Sequence, residues 1–245
     1  MTPELQAWLA THTEDPIDPD ERICDPHHHL WDHPTNRYLV PELHADTGAG
    51  HNVVRTVFVE CMSGYRTDGP EAMRPVGETV FVAEAALEAE AAGGATIDGI
   101  VAYADLTLGA AVGDVLDAHD DAGGGRFRGI RHATSWDPDP EVHNAHTKPT
   151  EGLATTDAFD AGLGALAQRG HSFDAWMYHP QLPELVTVAD RHPDLTIILD
   201  HLGGPVGVGP YAGRRDEVLE HWRPVMAQLA ERPNVFLKVG GIGMA

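Results

Sequence analysis

Lysine, cysteine and long apolar runs are scarce in this sequence of 245 residues, and each shortage excludes something. Lysine occurs twice, as Lys148 and Lys238, and 16 Lys+Arg stand against 38 Asp+Glu, for a formal net charge of -22. A surface of that sign repels phosphate backbones and anionic headgroups, so neither nucleic acid nor a membrane is expected as a partner. Arginine dominance fits a high-GC genome or a salt-adapted organism, and composition does not separate the two. Cys24 and Cys61 are the only cysteines. They form no disulfide framework or zinc knuckle and read as two buried thiols in a reducing compartment. The first 22 residues are polar and acidic, unlike a signal peptide, and no apolar run approaches the roughly 20 residues of a membrane span. The expected setting is the cytoplasm, with a small-molecule substrate as partner and a homo-oligomer left open.

What is present is an alternation. Seven short β-branched runs are strand candidates: 22–29, 53–61, 95–106, 127–133, 171–179, 195–204 and 234–241. Runs apolar on both faces are what parallel strands look like. Helical patterns lie between most of them. In 77–94 the stripe Val80, Ala83, Leu87 and Ala91 is the expected buried face, stopped at Gly93-Gly94. Pro224 should kink the last helix or start a new turn. Segments 30–52 and 134–156 show little helical pattern and read as long loops after strands, where barrel enzymes build their sites. Strand–helix alternation predicts a parallel α/β fold, a barrel or an open sheet, in one domain over 1–245. No G-x-G-x-x-G follows the first strand, which argues against dinucleotide binding.

The chemistry gathers at strand ends. In "CDPHHHLWD" the alternation of a strand puts His27 and His29 on one face and His28 on the other. His201 ends the sixth run in "LDHLGG", and in a parallel barrel it reaches the same rim. Three imidazoles with open positions can hold a divalent cation that activates water.

"DPHHHLWD", "DHLGGP" and "NVFLKVGG", in this order, resemble the amidohydrolase superfamily, in particular the amidohydrolase-2 group with its sugar-acid and pyrone dicarboxylate lactonases. The resemblance runs from about residue 22 to the end. It implies a TIM-type (β/α)8 barrel, with His27 and His29 as strand-one metal ligands and His201 as the strand-six residue, catalytic and metal-binding alike. Zinc is the first expectation and manganese the second, and a metal-independent variant exists among relatives. The family also carries an aspartate at the end of strand eight. Only seven strand candidates occur here, so the barrel is expected to be truncated after strand seven. Asp200 is expected to face away from the axis, since it neighbours His201.

The remaining rim residues carry open alternatives. Glu60 meets the site or pairs with an arginine. Arg131 grips a substrate carboxylate or makes a salt bridge. Tyr178 and His179 end the fifth run, and one of them faces inward; a strand-five histidine is a metal ligand in two-metal relatives, which makes His179 a candidate. Trp136 walls the pocket or anchors a loop, and Lys238 contacts substrate or bridges the metal region. His33, His44, His143 and His146 are expected to be solvated. The resemblance implies a metal-assisted hydrolase that opens a lactone ring on a small carboxylated or sugar-acid substrate. Its rivals are a non-oxidative decarboxylase of the same superfamily and an inactive fragment that only binds.

Overall fold

Burial on both faces decides the architecture. The computed structural model describes residues 3–12, 14–33 and 36–241. The elements are α1 (Pro3–Leu9), β1 (Arg22–His28), β2 (Trp31–His33), β3 (Asn36–Tyr38), α2 (Val40–Thr47), β4 (Asn52–Val59), α3 (Val76–Ala92), β5 (Thr96–Ala102), α4 (Gly113–Ala122), β6 (Phe127–Ile130), α5 (Asp157–Arg169), β7 (Ser172–Ala175), α6 (Leu182–Arg191), β8 (Ile197–Leu199), α7 (Arg215–Ala230) and β9 (Val235–Leu237). Seven of these strands form one parallel sheet in the order β1-β4-β5-β6-β7-β8-β9, while β2 and β3 make a separate antiparallel pair. The sheet curls into a half-barrel. Ile97, Ile100, Val101 and Ala102 of β5 are all buried, as a parallel strand covered on both sides requires. Register irregularities between β1 and β4, β4 and β5, and β5 and β6 add local bend. Helices carry the chain back after β4, β5, β6, β7 and β8, and α2 after β1, so all seven strands end at one rim. No helix among the described residues is long and apolar enough to cross a membrane.

Four expectations change. Segment 30–52 is not a plain loop: it holds the β2–β3 pair and α2, whose N-terminal Leu39 N–H is taken by Glu42 Oε2 at 2.9 Å. In α3 the stripe of Val80 and Leu87 is the exposed one, and Val76, Val82, Ala85, Ala86 and Ala89 are buried instead. The helix is apolar nearly all round, so periodicity alone has no single face to select. Helix α7 runs on through Pro224 to Ala230 rather than starting a new turn there, and this proline sits on the solvent side where water can take the freed carbonyl. Cys24 is exposed on edge strand β1 and Cys61 is half-buried; both are free thiols.

Candidate functional site

The rim is assembled from polar side chains at the strand ends. On β1, His28 points to the outer face, packs on Phe58 and meets Thr56 Oγ1 at 3.0 Å. His27 points inward. His29, just past the strand, gives its Nδ1 proton to the Val59 carbonyl at 2.7 Å, which leaves Nε2 with a free lone pair. Burial pushes the His29 pKa down to about 4, so the ring is neutral in ordinary buffers. His27 is pushed far lower, first by burial and then by the neighbouring Lys238 and Arg131 cations. Lys238 Nζ lies 3.4 Å from His27 Nδ1, and Arg131 Nη1 lies 3.4 Å from His27 Nε2. A neutral imidazole has one lone pair, so it accepts from only one of these two cations.

After β8 the strand alternation breaks. Asp200 is still extended, but His201 and Leu202 take left-handed conformations with φ of 51° and 57°. Two successive non-glycine residues of this kind are uncommon. Their effect is that Asp200 and His201, adjacent in sequence, face the same interior. The expectation that Asp200 points away from the axis is therefore wrong: it is fully buried within reach of Lys238, Arg131 and His27. The His201 ring sits 4.7 Å from the His27 ring and edge-on to Trp176. Gly204 is needed here, since a Cβ would stand 2.4 Å from the Met177 carbonyl oxygen and its φ is +53°.

Donor atoms of His27, Asp200 and His201 all lie within 4.8 Å of one another. Both Asp200 oxygens and His201 Nδ1 are buried without a hydrogen bond of good geometry. Two imidazoles and a carboxylate suit a divalent transition metal. Among the described residues the buried carboxylates Glu60, Asp174 and Asp200 face two buried cations, Arg131 and Lys238, so the ionised set keeps one negative charge. On these observations the residues fit a cation. His29, with its ring 5.0 Å from that of His27, borders this group without joining it.

The other candidates separate. Arg131 Nε bonds Glu60 Oε1 at 2.8 Å and Nη2 bonds the Glu60 carbonyl at 2.6 Å, so the guanidinium is occupied by protein. Lys238 Nζ lies 2.6 Å from Asp174 Oδ2 and 3.0 Å from Asp200 Oδ1. Tyr178 faces the cavity and gives its hydroxyl proton to the His143 carbonyl. His179 turns away, its Nδ1 taking the Val206 N–H and its ring packed against Tyr211, so it stands apart from the cation group. Trp136 anchors its loop through its backbone N–H, which donates to Gln181 Oε1, and Trp176 takes the wall position. His143 and His146 are exposed, as expected, but both line the mouth of the cavity, and His146 Nε2 reaches 3.4 Å from Glu60 Oε2. His44 lies on α2 and meets the Ala95 carbonyl at 3.0 Å.

Above the rim is a cavity of about 830 Å³, walled by Trp176, Trp222, Tyr178 and Tyr211, with Ser135 and Asn144 among its polar groups. Asp174 and Trp176 belong to this site and escape a motif search. A usable signal existed for Asp174: a carboxylate inside the buried run "SFDAW" requires a buried cation, and "NVFLKVGG" contains one of the two lysines.

Glu78 of α3 supports the site from behind. Its Oε1 accepts the Cys61 N–H at 3.1 Å and the Ser63 N–H at 2.6 Å, and Ser63 Oγ in turn bonds the Leu30 carbonyl. Burial raises its pKa to about 8, more than the two N–H bonds lower it. An acid raised in the folded state binds its proton more tightly there than in the unfolded chain. Stability from this group is thus full below about pH 4.5 and is lost as pH rises toward 8. Glu78→Gln is expected to flatten that decline, whose slope is at most ~1.4 kcal/mol per pH unit. Melting curves from pH 5 to 8 for both proteins check this, and parallel curves would disprove it.

A cation-competent histidine–carboxylate group at the C-terminal rim of a parallel α/β half-barrel is the arrangement of metal-assisted hydrolases. The chain belongs to the amidohydrolase-2 family, whose amidohydrolase pattern matches residues 24–245. It is 33% identical over 248 residues to an uncharacterized protein, y4mH, of Sinorhizobium fredii, covering 92% of this chain and 74% of that one. It is 29% identical over 149 residues to an L-fucono-1,5-lactonase of Burkholderia ambifaria, across 58% of this chain and 42% of the lactonase. The fold matches an amidohydrolase crystal structure from Burkholderia multivorans with bound zinc, at a TM-score of 0.66 and 22% identity, covering 89% of this chain and 69% of that one.

Proposed function

We propose that the protein is a lactonase that opens the ring of a neutral, polyhydroxylated sugar-acid lactone. The convergence of His27, Asp200 and His201 beneath an aromatic-walled cavity carries this reading. Aromatic faces and neutral polar groups such as Ser135 and Asn144 suit a sugar ring, and the relative from Burkholderia ambifaria bears a sugar-lactonase name. With Arg131 held by Glu60, the other arginine lining the cavity is the solvent-exposed Arg215, so among the described residues no buried guanidinium is free for a substrate carboxylate.

A divalent cation held by His27, Asp200 and His201, zinc first and manganese second, would polarise the lactone carbonyl and lower the pKa of the attacking water. Asp200 takes the water's proton as the new carbon–oxygen bond forms. It returns that proton to the ring oxygen as the ring bond breaks, giving the open hydroxy acid. Neutral His27 is flanked by Arg131, whose positive charge offsets negative charge developing on the carbonyl oxygen.

The test is a panel of lactones. Neutral sugar-acid 1,5- and 1,4-lactones are expected to give kcat/KM values at least about tenfold above dicarboxylated pyrones, from the charge the site does not pair. Preference for the pyrone would overturn the substrate class. Hydrolysis of none of them, with decarboxylation of an aromatic acid, would overturn the reaction.

A further inference from the structure

Lys238 stands where a cation is wanted. Its Nζ is 3.0 Å from Asp200 Oδ1 and 3.4 Å from His27 Nδ1, two members of the cation-competent group. A divalent cation and a tethered ammonium cannot share that space, because like charges a few ångströms apart in a buried site repel strongly. Yet Lys238 has a second place to go. It already touches Asp174 Oδ2 at 2.6 Å, and Asp174 Oδ1 is buried with no hydrogen-bond partner. Asp174 is fully buried on β7, one strand from Asp200. A small rotation of the long lysine chain would give the ammonium wholly to Asp174 and free Asp200.

We infer that Lys238 is a built-in competitor for the metal site and that Asp174 is the position to which it withdraws when the site loads. This rests on the metal-assisted reading above and adds a control on it. Without metal, the ammonium neutralises Asp200 and keeps the buried carboxylates from repelling one another. With metal, the same ammonium pairs with Asp174, and no carboxylate is stranded. The site therefore never holds an uncompensated pair of buried carboxylates, in line with the high cost of leaving one partner of a buried pair alone. Affinity for the cation is set lower than the three donors alone would give, since each binding event must move the lysine. Lysine suits this better than arginine: its compact charge on a flexible stem changes partner without a fixed fork to realign.

The two residues then affect metal affinity in opposite directions, although both lie beside the same site. Lys238→Met removes the competitor and is expected to tighten cobalt(II) binding by about tenfold or more. Asp174→Asn removes the withdrawal position, holds the ammonium on Asp200 and is expected to weaken binding by about tenfold. In the double variant the lysine is gone, so the Asp174 change should cost little, and affinity should return close to that of Lys238→Met. A merely structural role for Asp174 would weaken binding equally in both backgrounds. The experiment is titration of the full chain with Co²⁺, followed by calorimetry and by the visible absorption of the bound ion, with near-UV circular dichroism to confirm folding. Unchanged or weaker binding in Lys238→Met, with the wild type binding cobalt, overturns the competitor role alone. An additive double variant overturns the withdrawal role of Asp174. If neither the wild type nor Lys238→Met binds Co²⁺ or Zn²⁺, the metal-assisted reading falls and takes this inference with it. Should Asp174→Asn fail to fold, the Lys238→Met titration still decides the competition.

Discussion

Asp200→Asn is expected to lower kcat/KM on a sugar-acid lactone by about 10²–10⁴-fold, the range that general acid–base catalysis supplies. The substitution keeps the shape and a carbonyl acceptor but removes the charge and the ability to take a proton. Folding should survive, because the two buried cations each retain a carboxylate: Arg131 keeps Glu60 and Lys238 keeps Asp174. A melting temperature near that of the wild type, with turnover lost, assigns Asp200 to the chemistry. Activity within about tenfold of the wild type would remove it from the role of proton acceptor. Asp200 differs here from neighbouring Asp174, which has a 2.6 Å partner in Lys238, while both Asp200 oxygens lack a well-formed hydrogen bond.

Arg131→Met is expected to destabilise the fold by about 3–5 kcal/mol, the cost of breaking a buried ion pair from one side. For a chain of this size that is a fall in melting temperature of roughly 6–20 °C. The loss comes from Glu60, fully buried, whose carboxylate and carbonyl both depend on the guanidinium. Arg131→Lys should recover only part of it, because one ammonium cannot reproduce bonds from both Nε and Nη2. If Arg131 instead served a substrate carboxylate, Arg131→Lys would melt like the wild type and lose activity on charged lactones alone. Thermal melts of the two variants beside lactone kinetics separate these cases.

The parallel α/β character was legible because β-branched runs such as 53–61 are buried on both faces and need no partner information to be read. The ends of those runs were less legible. The sixth run was expected to reach 204, yet β8 stops at Leu199. The left-handed turn at His201 and Leu202 is a backbone choice that neither residue type favours, so no propensity announces it. Asp200 was misassigned for that reason alone: alternation was extended past the point where the strand had ended. His27, His29 and His201 could be placed at one rim because each sits at a strand end, and the structure brings their rings together. The loop residues His143 and His146 could not be placed, since the path of 134–156 depends on contacts made by distant residues such as Gln181 and Tyr211. The buried face of α3 failed through excess, because alanine and valine on every side leave periodicity nothing to select.

Strands β1 and β9 are the two ends of the sheet, and among the described residues no backbone hydrogen bond joins them. His27 and Lys238, one from each end, nevertheless meet at 3.4 Å. Across that seam the contact is an ammonium against a neutral imidazole, and the ammonium is held in turn by Asp174 and Asp200 rather than by a ladder of amides. End strands of a sheet open locally at lower free energy than central ones such as β6. The stiffness of the candidate site is therefore electrostatic in origin, so a charge-removing substitution at the rim should widen its fluctuations well before it loosens the core.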